Sequence, residues 1–409
     1  MKETYEDFLQ LLKASINKSE VKINNVNWQS ILQLSNIHKV LPLVYEALYK
    51  SEEFKNTDKD FQKYFKTTSM QIIYNQIQRS ERFLQIYEEF NKAGLKILVF
   101  KGIILRELYP IPDERISGDE DLLIKKEDLK KAEEILKSKD MERILSQEEE
   151  EDVYHYFCKK TGLHLELHTG LFGNSSEIYK KMEKTFQGVF DDSEKVIINN
   201  VTLNTFSLDK HFLYVICHAM KHFVSSGIGI RQICDIVMYI NKYYDKINWN
   251  YIWQEVSNFG YETLFVNFLQ IGIDYLGLDE KKITYAKNKN KYYINTKNLL
   301  EDIIDGGIYG ASNQFRLNAA NMSLDAFNNH TNSKINSNLA AIFPKVDNLK
   351  KRYKYLENHP FLLPIAWISR ISTYIKDRGS ISNVGLTAKE TIAVGNKRID
   401  LLKEYKLIR

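Results

Sequence analysis

The sequence predicts an α+β protein, in which a small mixed sheet is embedded in a largely helical chain. Apolar residues recur at helical spacing before about residue 94 and again after residue 207. Between these regions lie short apolar runs bounded by glycine and the alternating stretch LHLELH, which are patterns typical of strands. The 409 residues are enough for two to three domains. We expect four parts: a helical region at 1–94, a sheet-containing core at 95–206, a helical domain at 207–300 and a C-terminal helical extension at 301–409.

The composition argues against several classes of protein. Lys and Arg number 57 against 53 Asp and Glu, and a net charge of +4 is too small to indicate a nucleic-acid or anionic-membrane partner. The three cysteines (Cys158, Cys217 and Cys234) form no CxxC pair, which disfavours a disulfide framework or a cysteine zinc site. The N-terminus lacks a signal-peptide pattern, and no apolar run reaches the ~18 residues of a membrane helix. We therefore expect a cytoplasmic protein without a membrane span.

Helical periodicity accounts for the first part of the chain. One apolar stripe runs from Trp28 to Ile37, and a second follows around Pro42. A long helix is predicted from about Asp60 to Ala93. Gly94 can adopt the left-handed conformation that commonly follows the end of a helix.

The core begins where the apolar runs become short. LKILVF, flanked by Gly94 and Gly102, has the length and composition of a buried strand. From about Leu208 the chain is helical again. Between these points we predict, in order, a short helix at Ile103–Tyr109 stopped by Pro110, a strand at Asp121–Ile124, a helix at Glu127–Ser138, and a hairpin of Val153–Cys158 with Leu163–His168.

Two aspartates open the second predicted strand, in the stretch SGDEDLLI. Because successive strand side chains point to opposite faces, Asp119 and Asp121 share one face and Glu120 points to the other. Their Cα atoms would lie about 6–7 Å apart, which lets both carboxylates reach one hard cation such as Mg²⁺. A solvated acidic turn explains these eight residues equally well, so the metal interpretation depends on the rest of the core.

The strand LHLELH places an acid between two histidines on one face. Glu166 is expected to be a third carboxylate at the same metal site, or a base for an attacking hydroxyl. A rival interpretation is a metal-dependent hydrolase with a transition-metal site of His164, Glu166 and His168. The spacing of these three on one flat strand disfavours the rival, because adjacent ligands would lie too far apart.

Lys101 and Gly102 follow the first strand and precede a short helix. Glycine lets the backbone approach a phosphate, Lys101 supplies a positive charge, and the start of the helix offers free N–H groups. Arg115 lies four residues before Asp119. It is expected either to contact a triphosphate or to pair with Asp119.

Polar residues also interrupt the later helical stripes. Three histidines lie near one face of the predicted helix: His211, His218 and His222. Arg231 and Asp235 are four residues apart, a spacing that allows a salt bridge. A buried polar network between helices is the favoured interpretation. The alternative is a face that closes over a nucleotide or acceptor, with Lys221 or Arg231 reaching phosphate.

Taken in order, these motifs resemble the nucleotidyltransferase superfold, whose signature is a glycine-containing turn, Asp-x-Asp and a later acidic residue. More closely, the chain resembles a bacterial nucleotidyltransferase family with LKG, LYP, Arg, GDxDLL and ELH motifs. The corresponding segments here are FKG at 100–102, LYP at 108–110, Arg115, GDEDLLI at 118–124 and LELH at 165–168. The resemblance covers about residues 25–250.

The resemblance implies a catalytic metal site and a nucleotide site. It implies Asp119 and Asp121 as ligands of Mg²⁺ or Mn²⁺, with Glu166 as the third carboxylate. A nucleoside triphosphate, with ATP favoured, is the implied co-substrate. The residues expected at the nucleotide are Lys101, Gly102, Arg115 and Gly118. The residues expected to contact acceptor or phosphate are His168, His218, Lys221, His222, Arg231 and Asp235.

We therefore expect a metal-dependent nucleotidyltransferase that moves a nucleoside monophosphate to a hydroxyl or similar acceptor and releases pyrophosphate. A small hydroxylated molecule, a protein side chain and an RNA end are open as acceptors, and the small net charge disfavours a long nucleic-acid track. The alternative is a nucleotide- or partner-binding module that has lost catalysis. That alternative predicts nucleotide binding without pyrophosphate release and a function indifferent to Glu166→Gln.

Overall fold

The computed structural model divides the chain into two compact units. The first unit comprises residues 1–218 and 230–296, and the second comprises 219–229 and 297–409. In the ranges that the structure describes, no helix has both the length and the apolar character needed to cross a membrane. The described residues are 3–23, 26–144, 152–174, 176–225, 227–307, 327, 346–349, 353–369 and 381–408.

Helices open the first unit, as predicted. The longest begins where the Asp58 carboxylate accepts the N–H groups of Asp60 and Phe61, both at 3.0 Å, which satisfies two donors of its first turn. It ends just before Gly94, whose φ of +73° is left-handed. The bounds are α1 Glu3–Asn17, α2 Trp28–Ile37, α3 Leu41–Leu48, α4 Glu52–Lys55 and α5 Lys59–Lys92.

A mixed sheet of seven strands follows in the described part of this unit. The strands are β1 Leu98–Val99, β2 Glu120–Leu123, β3 Glu142–Ile144, β4 Val153–Cys158, β5 Leu163–His168, β6 Glu194–Ile198 and β7 Val201–Thr205. Their order is β3-β4-β5-β2-β1-β7-β6. The pairs β1–β7 and β2–β5 are parallel, and the other neighbours are antiparallel. The predicted α+β class is confirmed.

One face of the sheet packs on the helices and forms the core. Helices α6 Ile103–Arg106, α7 Leu129–Ser138 and α8 Glu177–Thr185 connect its strands. Leu122 of β2 and Leu165 of β5 are fully buried in one apolar cluster with Phe83 of α5 and Leu136 of α7. Because strand side chains alternate, the neighbours of these leucines point to the opposite face.

Several elements differ from the sequence prediction, among them the following. The strand expected over Leu95–Phe100 is shortened to Leu98–Val99, in which Leu98 pairs with both neighbouring strands and Val99 pairs with β2. The helix expected from Glu127 begins as a 3₁₀ turn at Lys126–Asp128 before α7. The hairpin of β6 and β7 was missed. Its tight turn is formed by Asn199 and Asn200 at φ of +47° and +67°, a conformation that asparagine tolerates.

Further helices follow the sheet. They are α9 Leu208–Val224, α10 Ile230–Tyr243, α11 Trp249–Asn258, α12 Glu262–Leu276, α13 Thr296–Gly306, α14 Val346–Leu349, α15 Tyr355–Asn358 and α16 Ile381–Glu404. Within the second unit, Arg398 forms a buried ion pair with Asp302 at 2.9 Å and also donates to the Phe223 carbonyl.

Candidate active site

The parallel pairing of β2 with β5 places Asp121 directly opposite Glu166. Both carboxylates leave the sheet on the face opposite the core, because their neighbours Leu122 and Leu165 fill it. Asp121 is fully buried, and neither of its oxygens has a described partner in hydrogen-bond geometry. A buried carboxylate of this kind is costly unless a positive charge compensates it.

Lys101 supplies the nearest positive charge. Its ammonium nitrogen lies 2.6 Å from Asp121 Oδ1, although its direction of approach is not that of a hydrogen bond. The same nitrogen lies 3.2 Å from Nε2 of His218 on α9. The turn after β1, strand β2 and helix α9 therefore meet at one point, and two residues expected at the substrates lie within contact distance there.

His168 lies on the same face of β5 as Glu166 and is close to both carboxylates. Its Nε2 lies 3.4 Å from Asp121 Oδ1 and 3.4 Å from Glu166 Oε2. Burial alone would lower the pKa of His168, but the two carboxylates outweigh burial and raise it. Burial likewise opposes ionisation of Glu166, yet contacts with His155 and His168 and the charge of Lys101 hold its pKa below the usual range.

Asp119 belongs to the same electrostatic environment, although it precedes β2. Burial, together with the negative charges of Asp121 and Glu166, raises its pKa to about 6, against the opposing effect of Lys101 and Arg231. Its carboxylate is not among the three groups whose ligand atoms lie within 4.8 Å of one another. Two of the three expected carboxylates, those of Asp121 and Glu166, therefore lie in that group, and the Asp119 carboxylate lies outside it.

The compact group is Asp121, Glu166 and His168. Two carboxylates and an imidazole are a donor set suited to a divalent cation, since carboxylates favour Mg²⁺ and Mn²⁺ and imidazole favours later transition ions. The buried oxygens of Asp121 that lack hydrogen bonds support this fit. The residues present therefore fit the metal that the sequence analysis expected, with His168 as an added donor.

Gly102 packs against Glu120, whose side chain leaves β2 on the core-facing side of the sheet. It has φ of +52°, and a Cβ there would lie 1.9 Å from Glu120 Oε2. Glu120 accepts the backbone N–H of Ile103 at 2.7 Å and pairs with Arg106 at 2.9 Å. The first N–H of α6, which we expected to be free for phosphate, is thus occupied. At Gly118, by contrast, a Cβ would meet nothing within 4 Å.

Arg106 extends this contact into a buried polar network that sequence reasoning missed. Its guanidinium donates to Ser117 Oγ at 2.6 Å and to Ser80 Oγ of α5 at 2.9 Å. Gln76, also on α5, accepts the N–H of Ser117 at 3.1 Å. A signal for this network existed, because Glu120 shares the core face of β2 with Leu122 and a buried acid needs a buried cation.

The structure places Arg115 against helix α10, and its predicted contact with a triphosphate stays a prediction. Its guanidinium makes a two-point contact with the carboxylate of Asp235, at 2.9 and 2.7 Å, and Tyr109 donates to the same carboxylate at 2.7 Å. Arg231 donates to the Ile116 carbonyl rather than pairing with Asp235. The loop before Asp119 is thereby fastened to α10 at two points.

The other histidines separate into different environments. His211 is buried and bonds the Phe100 carbonyl at 2.8 Å, and burial lowers its pKa to about 4, which is typical of a structural residue. His164 is exposed and packs against Phe157, with ring centroids 4.7 Å apart, so it is not one of the compact group. Lys221 and His222 belong to the second unit, and their predicted contacts with acceptor or phosphate stay predictions.

Comparison with known proteins gives one result. A family model described as an uncharacterised nucleotidyltransferase matches residues 24–275, which is more than half of the chain. No curated protein and no solved structure matches. The matched span contains the whole described sheet and every residue of the compact group.

Proposed function

Since the chain belongs to the uncharacterised nucleotidyltransferase family, we propose that it is a metal-dependent enzyme that transfers a nucleoside monophosphate from a nucleoside triphosphate, with ATP favoured. A bond forms between the α-phosphorus and a hydroxyl or similar oxygen of the acceptor. The bond from that phosphorus to the leaving pyrophosphate breaks, and the acceptor proton passes to a base or to solvent.

One observation carries the proposal. A fully buried aspartate, Asp121, faces Glu166 across two parallel strands, with Lys101 2.6 Å away. A buried carboxylate without hydrogen-bond partners, next to a second carboxylate, favours a divalent ion, and a nearby ammonium favours phosphate. When bound, Mg²⁺ or Mn²⁺ supplies positive charge that polarises the phosphate and offsets the charge of the leaving pyrophosphate.

The residues have distinct proposed roles. Asp121 and Glu166 hold the ion, with Asp119 beside them as a further ligand. Lys101 contacts a phosphate oxygen, and Gly102 lets the chain turn next to it. Of the two roles considered for Glu166, the lowered pKa favours ligand over base, because a weakly basic carboxylate accepts an acceptor proton poorly.

The acceptor is proposed to be a small hydroxylated molecule or a protein. The net charge of +4 over 409 residues offers little of the electrostatic attraction that dominates binding to a long nucleic acid. His218 lies 3.2 Å from Lys101 Nζ, so α9 borders the proposed phosphate site and is the element through which we expect the acceptor to be contacted.

The proposal is tested by calorimetric titration of each nucleoside triphosphate, with and without Mg²⁺. The variants are Asp121→Asn and, as a matched control, Asp140→Asn, which replaces an exposed aspartate that pairs with Lys160 at the surface. We expect magnesium-dependent binding by the wild type and by Asp140→Asn, and loss of binding in Asp121→Asn. Absence of binding of any triphosphate by the wild type would contradict the proposal.

Catalysis is tested separately by measuring pyrophosphate release in the presence of candidate acceptors. We expect release by the wild type and none by Asp121→Asn. Binding without release, together with unchanged function in Glu166→Gln, would favour the alternative of a binding module that has lost catalysis.

A further inference from the structure

We propose that Asp121, Glu166 and His168 bind a divalent first-row transition ion, Mn²⁺ among them, in preference to Mg²⁺, with the His168 imidazole as a direct ligand. The inference deepens the proposed function by naming the class of ion at that same site, and it rests on that function only for the role of the ion in catalysis.

The first support is the position of His168. It is 8% exposed, and neither ring nitrogen has a described partner in hydrogen-bond geometry. Its Nε2 lies 3.4 Å from Asp121 Oδ1 and 3.4 Å from Glu166 Oε2. Ligands bound to one ion at about 2.1 Å lie roughly 3 Å from each other, so the separation of Nε2 from Glu166 Oε2 suits joint coordination. A carboxylate oxygen of Asp121 lies within 4.8 Å of the ligand atoms of both residues.

The second support is that the ring of His168 is held in place by packing. Phe100 meets it edge to face, with centroids 5.2 Å apart and an interplanar angle of 73°. The backbone of His168 is fixed as well, because β5 pairs with β2 on one side and with β4 on the other. A ligand that is already oriented loses little freedom when an ion binds.

The third support is that Lys101 leaves a carboxylate oxygen available. Lys101 Nζ lies next to Oδ1 of Asp121, at 2.6 Å. Oδ2 of the same carboxylate is also buried and has no described hydrogen-bond partner. An ion bound through Oδ2 can therefore coexist with the ammonium, which keeps Lys101 beside the site for a phosphate.

The donor set determines the preference. Mg²⁺ is a hard ion that takes oxygen ligands and keeps several waters, and it gains little from an imidazole nitrogen. First-row transition ions accept carboxylate and imidazole together, and their affinities for such sites rise along the Irving–Williams series. Exchanging one oxygen donor for His168 therefore shifts selectivity away from Mg²⁺.

The test compares two histidines of the same strand. His168→Ala removes the proposed ligand, and His164→Ala is the matched control, since His164 is exposed and lies outside the group. Mn²⁺ binding is measured from the electron paramagnetic resonance signal of the free ion, and Mg²⁺ binding by competition with it. We expect His168→Ala to lose Mn²⁺ affinity by at least roughly tenfold while its Mg²⁺ affinity changes much less. His164→Ala should match the wild type.

A direct spectroscopic readout separates ligation from packing. Pulsed electron paramagnetic resonance of bound Mn²⁺ should show coupling to an imidazole nitrogen in the wild type and in His164→Ala, but not in His168→Ala. Absence of that coupling in the wild type, or equal weakening of both ions in His168→Ala, would overturn the inference. If the alanine variant fails to fold, His168→Gln preserves most of the volume and is assessed by the same coupling.

The same samples distinguish this inference from the proposed function. Nucleotide binding without nitrogen coupling would leave the transferase proposal intact and defeat the ion preference. Nitrogen coupling in a protein that binds no nucleoside triphosphate would support the metal site and defeat the transferase proposal.

Discussion

Two neighbouring acids of the same chemistry occupy different surroundings in this protein. Asp121 is fully buried and faces Lys101 at 2.6 Å, whereas Asp119 is half-buried and has a pKa raised to about 6 by burial and by its acidic neighbours. Like charges this close disfavour joint ionisation unless a cation compensates them. A bound cation would therefore stabilise both carboxylates. The fully buried Asp121 would gain more from it than the half-buried Asp119.

Glu114 gives a prediction about pH and stability. It is buried, and burial together with the charge of Glu46 raises its pKa from 4.5 to about 8. The folded protein holds this proton more tightly than the unfolded chain does. Its contribution to stability is therefore greatest below about pH 4.5 and is lost as the pH rises towards 8.

Glu114→Gln should remove the loss of stability that ionisation of Glu114 causes as the pH rises. We expect the free energy of unfolding of the variant to equal that of the wild type at acid pH and to exceed it by roughly 2 kcal/mol near neutral pH. Urea denaturation at several pH values measures the difference. The exposed Glu107→Gln serves as the control, and a constant offset between Glu114→Gln and the wild type at every pH would contradict the prediction.

At the scale of elements, strand β2 and the turn that contains Lys101 are linked through the core-facing side of the sheet. Glu120 of β2 holds the start of α6 through Ile103 and Arg106, and α6 directly follows Lys101 and Gly102. Arg106 in turn reaches α5 through Ser80. Asp121 of β2 and Lys101 before α6 are thus positioned by one buried network. This network lies on the face of the sheet opposite the carboxylates of Asp121 and Glu166.

Glu120→Gln should weaken both stability and nucleotide binding. The variant leaves Arg106 buried without its counter-charge, so we expect a loss on the order of 3 kcal/mol in the free energy of unfolding. It should also weaken triphosphate binding, because the Lys101 turn loses its support. Thermal melting and calorimetry on one preparation measure the two effects.

A second buried ion pair provides the control for this prediction. Arg398 and Asp302 lie 2.9 Å apart in the second unit and are as deeply buried as Arg106 and Glu120. Asp302→Asn should lower the melting temperature by a similar amount and leave triphosphate binding unchanged. Equal binding by both variants would show that Glu120 acts on stability alone.

At the scale of the whole molecule, the extent of the family match and the compact units do not coincide. The match ends at residue 275, yet residues 219–229 within it belong to the second unit. There Arg398 donates to the carbonyl of Phe223, and Tyr405 packs against the Phe223 ring at a centroid distance of 6.3 Å. The C-terminal residues therefore support a segment that lies within the matched region.

A chain ending at residue 296 should accordingly be less stable than the full chain. Loss of Arg398 and Tyr405 leaves the Phe223 carbonyl and ring without these partners, so we expect a lower melting temperature and increased binding of a hydrophobic dye. Arg398→Gln in the full chain removes the contact with the Phe223 carbonyl and the ion pair with Asp302 but keeps Tyr405, and it should have a smaller effect. Identical melting of the shortened and full chains would rule out this dependence.

The sequence by itself determined the fold class, and it predicted the residues that we propose for the candidate site. Helical and alternating patterns are local, so they revealed α5, β2 and the β4–β5 hairpin, and they correctly separated Glu120 from Asp121 by face. The motif order indicated the family that the comparison later matched. Each of these results depends on residues near one another along the chain.

Only the tertiary structure decided which distant residues meet. Asp121 faces Glu166 because β2 and β5 pair in one register, and a shift by one residue would turn these side chains apart. The partner of Arg115 proved to be Asp235, 120 residues away, and His168 joined the carboxylates. Strand register and helix docking are set by the packing of the whole core, and a local pattern contains no information about that packing.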